Sequence, residues 1–513
     1  GVASLPLYEL ELTVEGRALR GRVQVSLASP AAGLGTVVFA LPAPAEAGGA
    51  VPVRVGPVAA VVGAGAPVPT RRTVEAGLVT VTLPRPAAQG ERVVVRLEVS
   101  GELPLRTTGG YDETLAAFSP GGTRAPIGAL ATDDRGVTLL GPAPLLAPFR
   151  AGRWVTHAAG RFGPPPPAPP ACHIAIVEVP ADTEVAVAGV RVGRLPVGEG
   201  RMRHVFVLAQ ARRVGLVARP KPRAAHTARL GGVEVRAVAR DRATARRLGR
   251  WAAAALGRFG QLYRPYPWTR LSVIAAPVNG ALGGLRAPGL VVVTDTLEAG
   301  PDTSLSSFSA ASPDELLELV TVHQVAHQWF GEGVGTPGPA DPCIEELLAH
   351  HATVEYLRAR YGNEEALRLK AALTDATYHT WRLFGGEDGP ASRPLAAYPA
   401  LGAWSATCEG KASRLLLEVE GLIGRRLVRA ALRRFVRTYW MKEAGRPELE
   451  RTFLEAAPGA RAKLRALFRR WLDEAHGDED LGLPVLPTTG PGQTPEDLQG
   501  LMRALEQLLS GGP

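Results

Sequence analysis

Cysteine is scarce in this chain: Cys172, Cys343 and Cys408 are the only three in 513 residues. Three thiols build no disulfide framework, and no CxxC pair is present, so redox motifs and cysteine-rich metal fingers are excluded. One bridge remains open, and with it the compartment, an extracytoplasmic one being slightly favoured. Lysine is scarcer than the charge suggests. Lys+Arg is 58 against Asp+Glu 49, a formal +9, yet only five of those cations are lysines. The arginines are scattered in short pairs such as Arg246-Arg247 and Arg469-Arg470, in a chain heavy in Ala, Gly and Pro. No basic stripe interleaved with aromatics occurs, so a nucleic-acid partner is not expected. No run of about 18 apolar residues is present, so no membrane-spanning helix is encoded. The chain opens at Gly1 without a charged-then-apolar leader, as a removed signal peptide or trimming would leave it.

What is present is ordinary globular composition, 46% hydrophobic and 21% charged, at a length that supports two or more cores. The first part reads as β. Tyr8, Leu10, Leu12 and Val14 alternate with Glu9, Glu11 and Thr13, the period of a half-buried strand. Val93 to Val99 and Ile174 to Val179 are further strands, and Gly and Pro punctuate at short intervals. Pro164 to Pro170 cannot lie in a helix or central strand and is expected as an ordered extended loop. From Asp241 the pattern turns helical, with Ala245, Leu248, Ala252, Ala255 and Phe259 on one face. Leu271 to Ala275 and Pro288 to Thr294 read as strands, and beyond residue 312 almost everything is helical. The expected organisation is a β domain over 1–225, a mainly α domain over 226–486, and a linker with a short helix over 487–513.

One constellation carries chemistry. Ser312-Pro313-Asp314-Glu315 is a helix start with a capping Ser, Pro in the first turn and Glu three residues on. That helix carries His323 and His327, four apart and therefore on one face. Gly331 to Pro339 ends it, and Asp341-Pro342 is expected to open a second helix carrying Glu346. Eighteen residues separate His327 from Glu346, enough for the second helix to return antiparallel. His323, His327 and Glu346 then form a His, His, Glu set, a zinc site with one open position. An HxxxH on an amphipathic helix is by itself commonly core packing, and only its surroundings raise it above that.

Those surroundings are specific. VTVHQVAHQWFG (Val320 to Gly331) resembles the HExxHxWFG helix of the aminopeptidase N and leukotriene hydrolase family of gluzincin zinc peptidases. CIEELLAHHATVEYL (Cys343 to Leu357) resembles that family's WLNEGFAxYxEYL segment. Tyr266-Pro267 with Leu271 to Ala275 resembles its strand entry, and Trp471-Leu472-Asp473 with Gly482-Leu483-Pro484 the end of its catalytic domain. The resemblance implies an α+β multidomain fold: an N-terminal antiparallel β saddle or sandwich, then a thermolysin-like, mainly α domain. It implies zinc on His323, His327 and Glu346.

Three departures bear on activity. Gln324 stands where the family has the Glu that activates zinc-bound water; an amide keeps the shape but takes no proton near neutral pH. Arg286 stands where the family's GxMEN segment has the Glu that holds the substrate's free amine, and a cation there repels an ammonium group. Cys408 stands where the family's YEKG-type segment has the Tyr that steadies the tetrahedral intermediate, and a thiol is a poor donor to an oxyanion. The expectation is a pseudopeptidase that binds a peptide or protein in the old cleft. The alternative is a working zinc hydrolase in which the metal, or a carboxylate such as Glu345 or Glu409, activates water and Arg286 suits an acidic or blocked N-terminus. Cys408 can serve as a thiolate ligand, fill space as a buried thiol, or pair with Cys343. His350, four residues past Glu346, can orient the ligand; the plainer expectation is a half-exposed helix histidine.

Overall fold

Alternation along the N-terminal segments produces twisted sheets with one apolar face each. In the structure, a computed structural model, residues 5–42, 53–105, 130–133, 136–220, 223–276, 278, 283–295 and 312–482 are described. Leu7–Glu15 lies near the middle of an eight-stranded sheet. It pairs antiparallel with Ala18–Ala28 and parallel with Ala171–Pro180. Tyr8, Leu10, Leu12 and Val14 point into the core and Glu11 outward, as the alternation requires. A four-stranded sheet containing Leu34–Ala40 and Leu78–Ala87 covers that core, contributing Val37, Phe39, Val79 and Val81. Tyr8 adds a polar tie across it, its hydroxyl accepting from Leu146 N at 2.7 Å.

A separate five-stranded sheet begins at Ala224–Leu230 and runs Ala224–Leu230, Val233–Ala239, Arg270–Ala276, Leu290–Thr294, Gly284–Ala287. Its two inner pairings are parallel, its two outer ones antiparallel. Parallel neighbours need a crossover, and helix α1 (Arg242–Leu262) supplies it. Asp241 caps α1, accepting from Thr244 N at 2.8 Å, and the predicted face from Ala245 to Phe259 is buried. Helix α2 (Pro313–Ala326) packs against both α1 and the Gly284–Ala287 edge. Helix α3 (Ile344–Tyr361) lies beside α2, and shorter helices complete the rest to Leu481. No helix among the described residues is long and apolar enough to cross a membrane.

Pro164 to Pro170 is an extended, partly buried segment without regular structure. A Cβ at Gly338 would meet Pro165 O at 2.5 Å, so this loop presses on the turn between α2 and α3. Arg212 reaches the same region, donating to Ala168 O at 2.7 Å and Lys442 O at 2.8 Å. The predicted start of the second helix is corrected. Asp341 follows a short 3-10 turn (Gly338–Ala340) and accepts from Arg446 N at 3.0 Å instead of capping; α3 begins at Ile344. The predicted helix within 494–509 lies outside the described residues.

Candidate metal centre

The first turn of α2 is fixed as its sequence indicates. Ser312 Oγ accepts from Glu315 N while Ser312 N donates to the Glu315 carboxylate, a complete capping box. The helix closes at Ala326 with His327 as its C-cap. Gly331 and Gly338 then turn the chain at positive φ of 106° and 60°. This sharp return brings α3 back alongside α2 and sets Glu346 opposite the two histidines.

Three donor atoms converge. His323 Nε2 and His327 Nε2 are 3.0 Å apart. Glu346 Oε2 lies 3.2 Å from the first and 3.3 Å from the second. A tetrahedral zinc ion with bonds of 2.0–2.1 Å separates its ligands by about 3.3 Å, so the triangle has the size that ion needs. The tautomer also fits: His327 Nδ1 donates to Phe330 O at 3.0 Å, which leaves Nε2 with a lone pair. All three residues are 7% exposed or less. Burial opposes ionisation of Glu346, but the two imidazoles outweigh it and hold the carboxyl well below its usual range. Burial pulls His323 down, against its hydrogen bond to Glu346. The lowering of His323 and the ionisation of Glu346 both favour a divalent cation, which binds deprotonated ligands.

Gln324 is 7% exposed, and its Oε1 is buried without a hydrogen-bond partner among the described residues. Its Cγ would lie 3.0 Å from a Cβ placed on Gly284, so the glycine lets the edge strand approach the helix at this point. Arg286, on that strand, forms a buried ion pair with Glu345 and stands 4.0 Å from Glu346. Thr336 donates to the other Glu345 oxygen at 2.9 Å. Glu345 is therefore held on both oxygens, one by Arg286 and one by Thr336.

The segment Ser405–Lys411 is a π-helical turn. Cys408, within it, is bonded to Cys343 across a Cα–Cα distance of 4.5 Å and is fully buried. That bridge corrects both the thiolate-ligand and the free-thiol readings of Cys408, since its sulfur is spent on Cys343. The neighbouring Glu409 is what the turn offers to the cluster. Its carboxyl is pushed up to about 8, by burial first and by the Glu346 charge second. His350 is 7% exposed rather than half-exposed, and its ring centroid is 4.2 Å from that of His323. Burial, then His323, pull it well below the usual imidazole range. Cys172 is a free, half-buried thiol.

Glu332 was not found from sequence. It forms a buried ion pair with Arg213 and thereby ties the loop after α2 to the β half. Its position directly after Trp329-Phe330-Gly331 was the only available signal.

Residues 255–471 match the peptidase family M1 domain. That stretch is an M1-type domain, of the aminopeptidase N type of gluzincin. Zinc is the cofactor that such a domain implies, and the donor triangle fits it. Mouse aminopeptidase RNPEPL1 is 28% identical over 144 residues, which is 28% of this chain and 17% of that protein. Mouse aminopeptidase B is 26% identical over 133 residues, covering 26% of this chain and 18% of the relative. These matches thus span under a fifth of the curated relatives. The fold is shared over nearly the whole chain with the M1 zinc metallopeptidase of Deinococcus radiodurans. The TM-score is 0.63 at 20% identity, covering 96% of both chains. A two-domain M1 zinc metallopeptidase variant solved with L-arginine gives 0.63 at 20% identity over 94% of this chain and 96% of that one.

Proposed function

We propose that this protein is a zinc-holding pseudopeptidase: His323, His327 and Glu346 hold the ion, and the residues around them do not support ordinary aminopeptidase turnover. The observation that carries the reading is Gln324. It sits between the two histidines on α2, buried, with an unpartnered amide oxygen where hydrolysis calls for a proton-accepting carboxylate. A general base is worth about 10²–10⁴ in rate. Arg286 adds to this. Its guanidinium is fixed by Glu345 next to Glu346, and its charge disfavours an incoming ammonium group. When bound, zinc would polarise a carbonyl or acidify a water. This chain's own residues would supply the rest: His327, oriented by Phe330 O, and Glu346 for placement, and Arg286 for charge selection. A peptide or protein held in the cleft, without being cut, is the function that remains.

A working hydrolase is the second reading, favoured by one observation: Glu409 places a carboxyl group within 4.8 Å of donor atoms of Glu346 and His350. One assay separates the two. Zinc-loaded protein is incubated with a diverse peptide mixture and the products are read by mass spectrometry, with His323→Ala and Glu409→Gln alongside. The pseudopeptidase reading expects no products above the His323→Ala control. Products that vanish in both variants would establish a hydrolase that depends on Glu409.

A further inference from the structure

The His323, His327, Glu346 triangle does not use up the donors gathered here. His350 lies one turn beyond Glu346 on α3, and Glu409 reaches in from the Ser405–Lys411 turn. One ring nitrogen of His350 and one carboxylate oxygen each of Glu346 and Glu409 lie within 4.8 Å of one another. His350 is 7% exposed, and its Nε2 is buried with no hydrogen-bond partner among the described residues. A buried polar nitrogen without a partner calls for an explanation, and an absent ion is one of the few available. The Ser405 hydroxyl donates to one Glu409 oxygen, the kind of support that orients a ligating carboxylate. Arg286 does not answer for the local negative charge, because its short contact is to Glu345 and it stands 4.0 Å from Glu346.

We propose that Glu346, His350 and Glu409 form a second divalent-cation site that shares Glu346 with the His323–His327 site. Glu346 would then be shared by two ions, as carboxylates are in two-metal centres. One imidazole and two carboxylates suit zinc or manganese, and the donor set alone does not separate them. Glu409 and His350 become ligands rather than leftover polar groups. The proposal rests on the zinc reading of the first site, so its test must tell the failure of one from the failure of the other.

The full chain is stripped of metal, reloaded with zinc alone or manganese alone, desalted, and its metal counted by plasma mass spectrometry. Wild type is expected to hold two ions, in the zinc arm, the manganese arm or both. His350→Ala and Glu409→Gln, each checked for an unchanged circular dichroism spectrum, are expected to hold one. A single ion in wild type in both arms, lost in His327→Ala but kept in Glu409→Gln, overturns the second site and leaves the first. Two ions unaffected by either His350→Ala or Glu409→Gln also overturn it. No bound ion in any sample overturns both sites.

Discussion

At the scale of single residues, the site is decided by which groups are already committed. Gln324 and Arg286 act through different physics, one by failing to take a proton and the other by its charge. Restoring the base alone therefore leaves the second obstacle in place. Gln324→Glu is expected to keep its zinc and still release no N-terminal amino acids from peptides; a rise of tenfold or more in that release would make Gln324 the sole lesion. Arg286 itself is a structural partner of Glu345. Removing it strands a buried carboxylate, a change that costs about 3–5 kcal/mol for a broken buried pair. Urea unfolding of Arg286→Ala should show a loss of that size, and Arg286→Ala combined with Glu345→Gln should recover a large part of it. Sequence showed the identities of these residues plainly. It could not show that Glu345 is locked while the adjacent Glu346 is free to ligate, because that depends on Thr336 and Arg286 arriving from other elements.

Elements were legible wherever a local rule sets them. The capping box at Ser312, the four-residue spacing of His323 and His327, and the alternation from Tyr8 to Val14 all appear in the structure as read. The turn at Ser405–Lys411 was not legible. A π turn carries more residues than an α turn, so it shifts the phase of every side chain after it. That shift aims Cys408 at Cys343 and gives Glu409 to the cluster, and no sequence period announces it. The bridge joins α3 to this turn across 65 residues of chain. A bridge of that span contributes about 2–4 kcal/mol. Cys343→Ser with Cys408→Ser is expected to lower stability by that amount in chemical unfolding, and intact protein should show a single titratable thiol, Cys172. An unchanged midpoint, or three titratable thiols without reductant, would remove the bridge from this account. An oxidising compartment is the proposal that accompanies it.

Over the whole molecule, the two halves share an apolar cluster that includes Leu208, Val217, Ile274 and Val292, and arginines on one short stretch of the β half add polar ties. Arg212 donates to backbone carbonyls of Ala168, Glu332 and Lys442, and Arg213 pairs with Glu332 on the loop after α2. The long-range parallel pairing of Leu7–Glu15 with Ala171–Pro180 orders the strand neighbouring that stretch, and nothing local in the sequence specifies such a partner. His173 sits where these meet. It is 2% exposed, stacks on Tyr8 at 4.9 Å, and its Nε2 donates to Ala211 O at 2.9 Å, one residue before Arg212. Burial pulls its imidazole down to about 4. The unfolded chain, with an ordinary value near 6.5, takes up its proton first as pH falls. A depressed folded value therefore costs stability from about pH 6.5 downward, reaching about 3 kcal/mol by pH 4 and levelling off within about a unit below it. Other groups contribute to the pH dependence as well, so the quantity to measure is a difference. Unfolding free energies of wild type and His173→Gln between pH 7 and pH 4 should diverge in slope, with the variant losing less. Parallel curves would mean that His173 takes up its proton in the folded protein at no cost, and that the junction between the halves does not depend on a neutral imidazole.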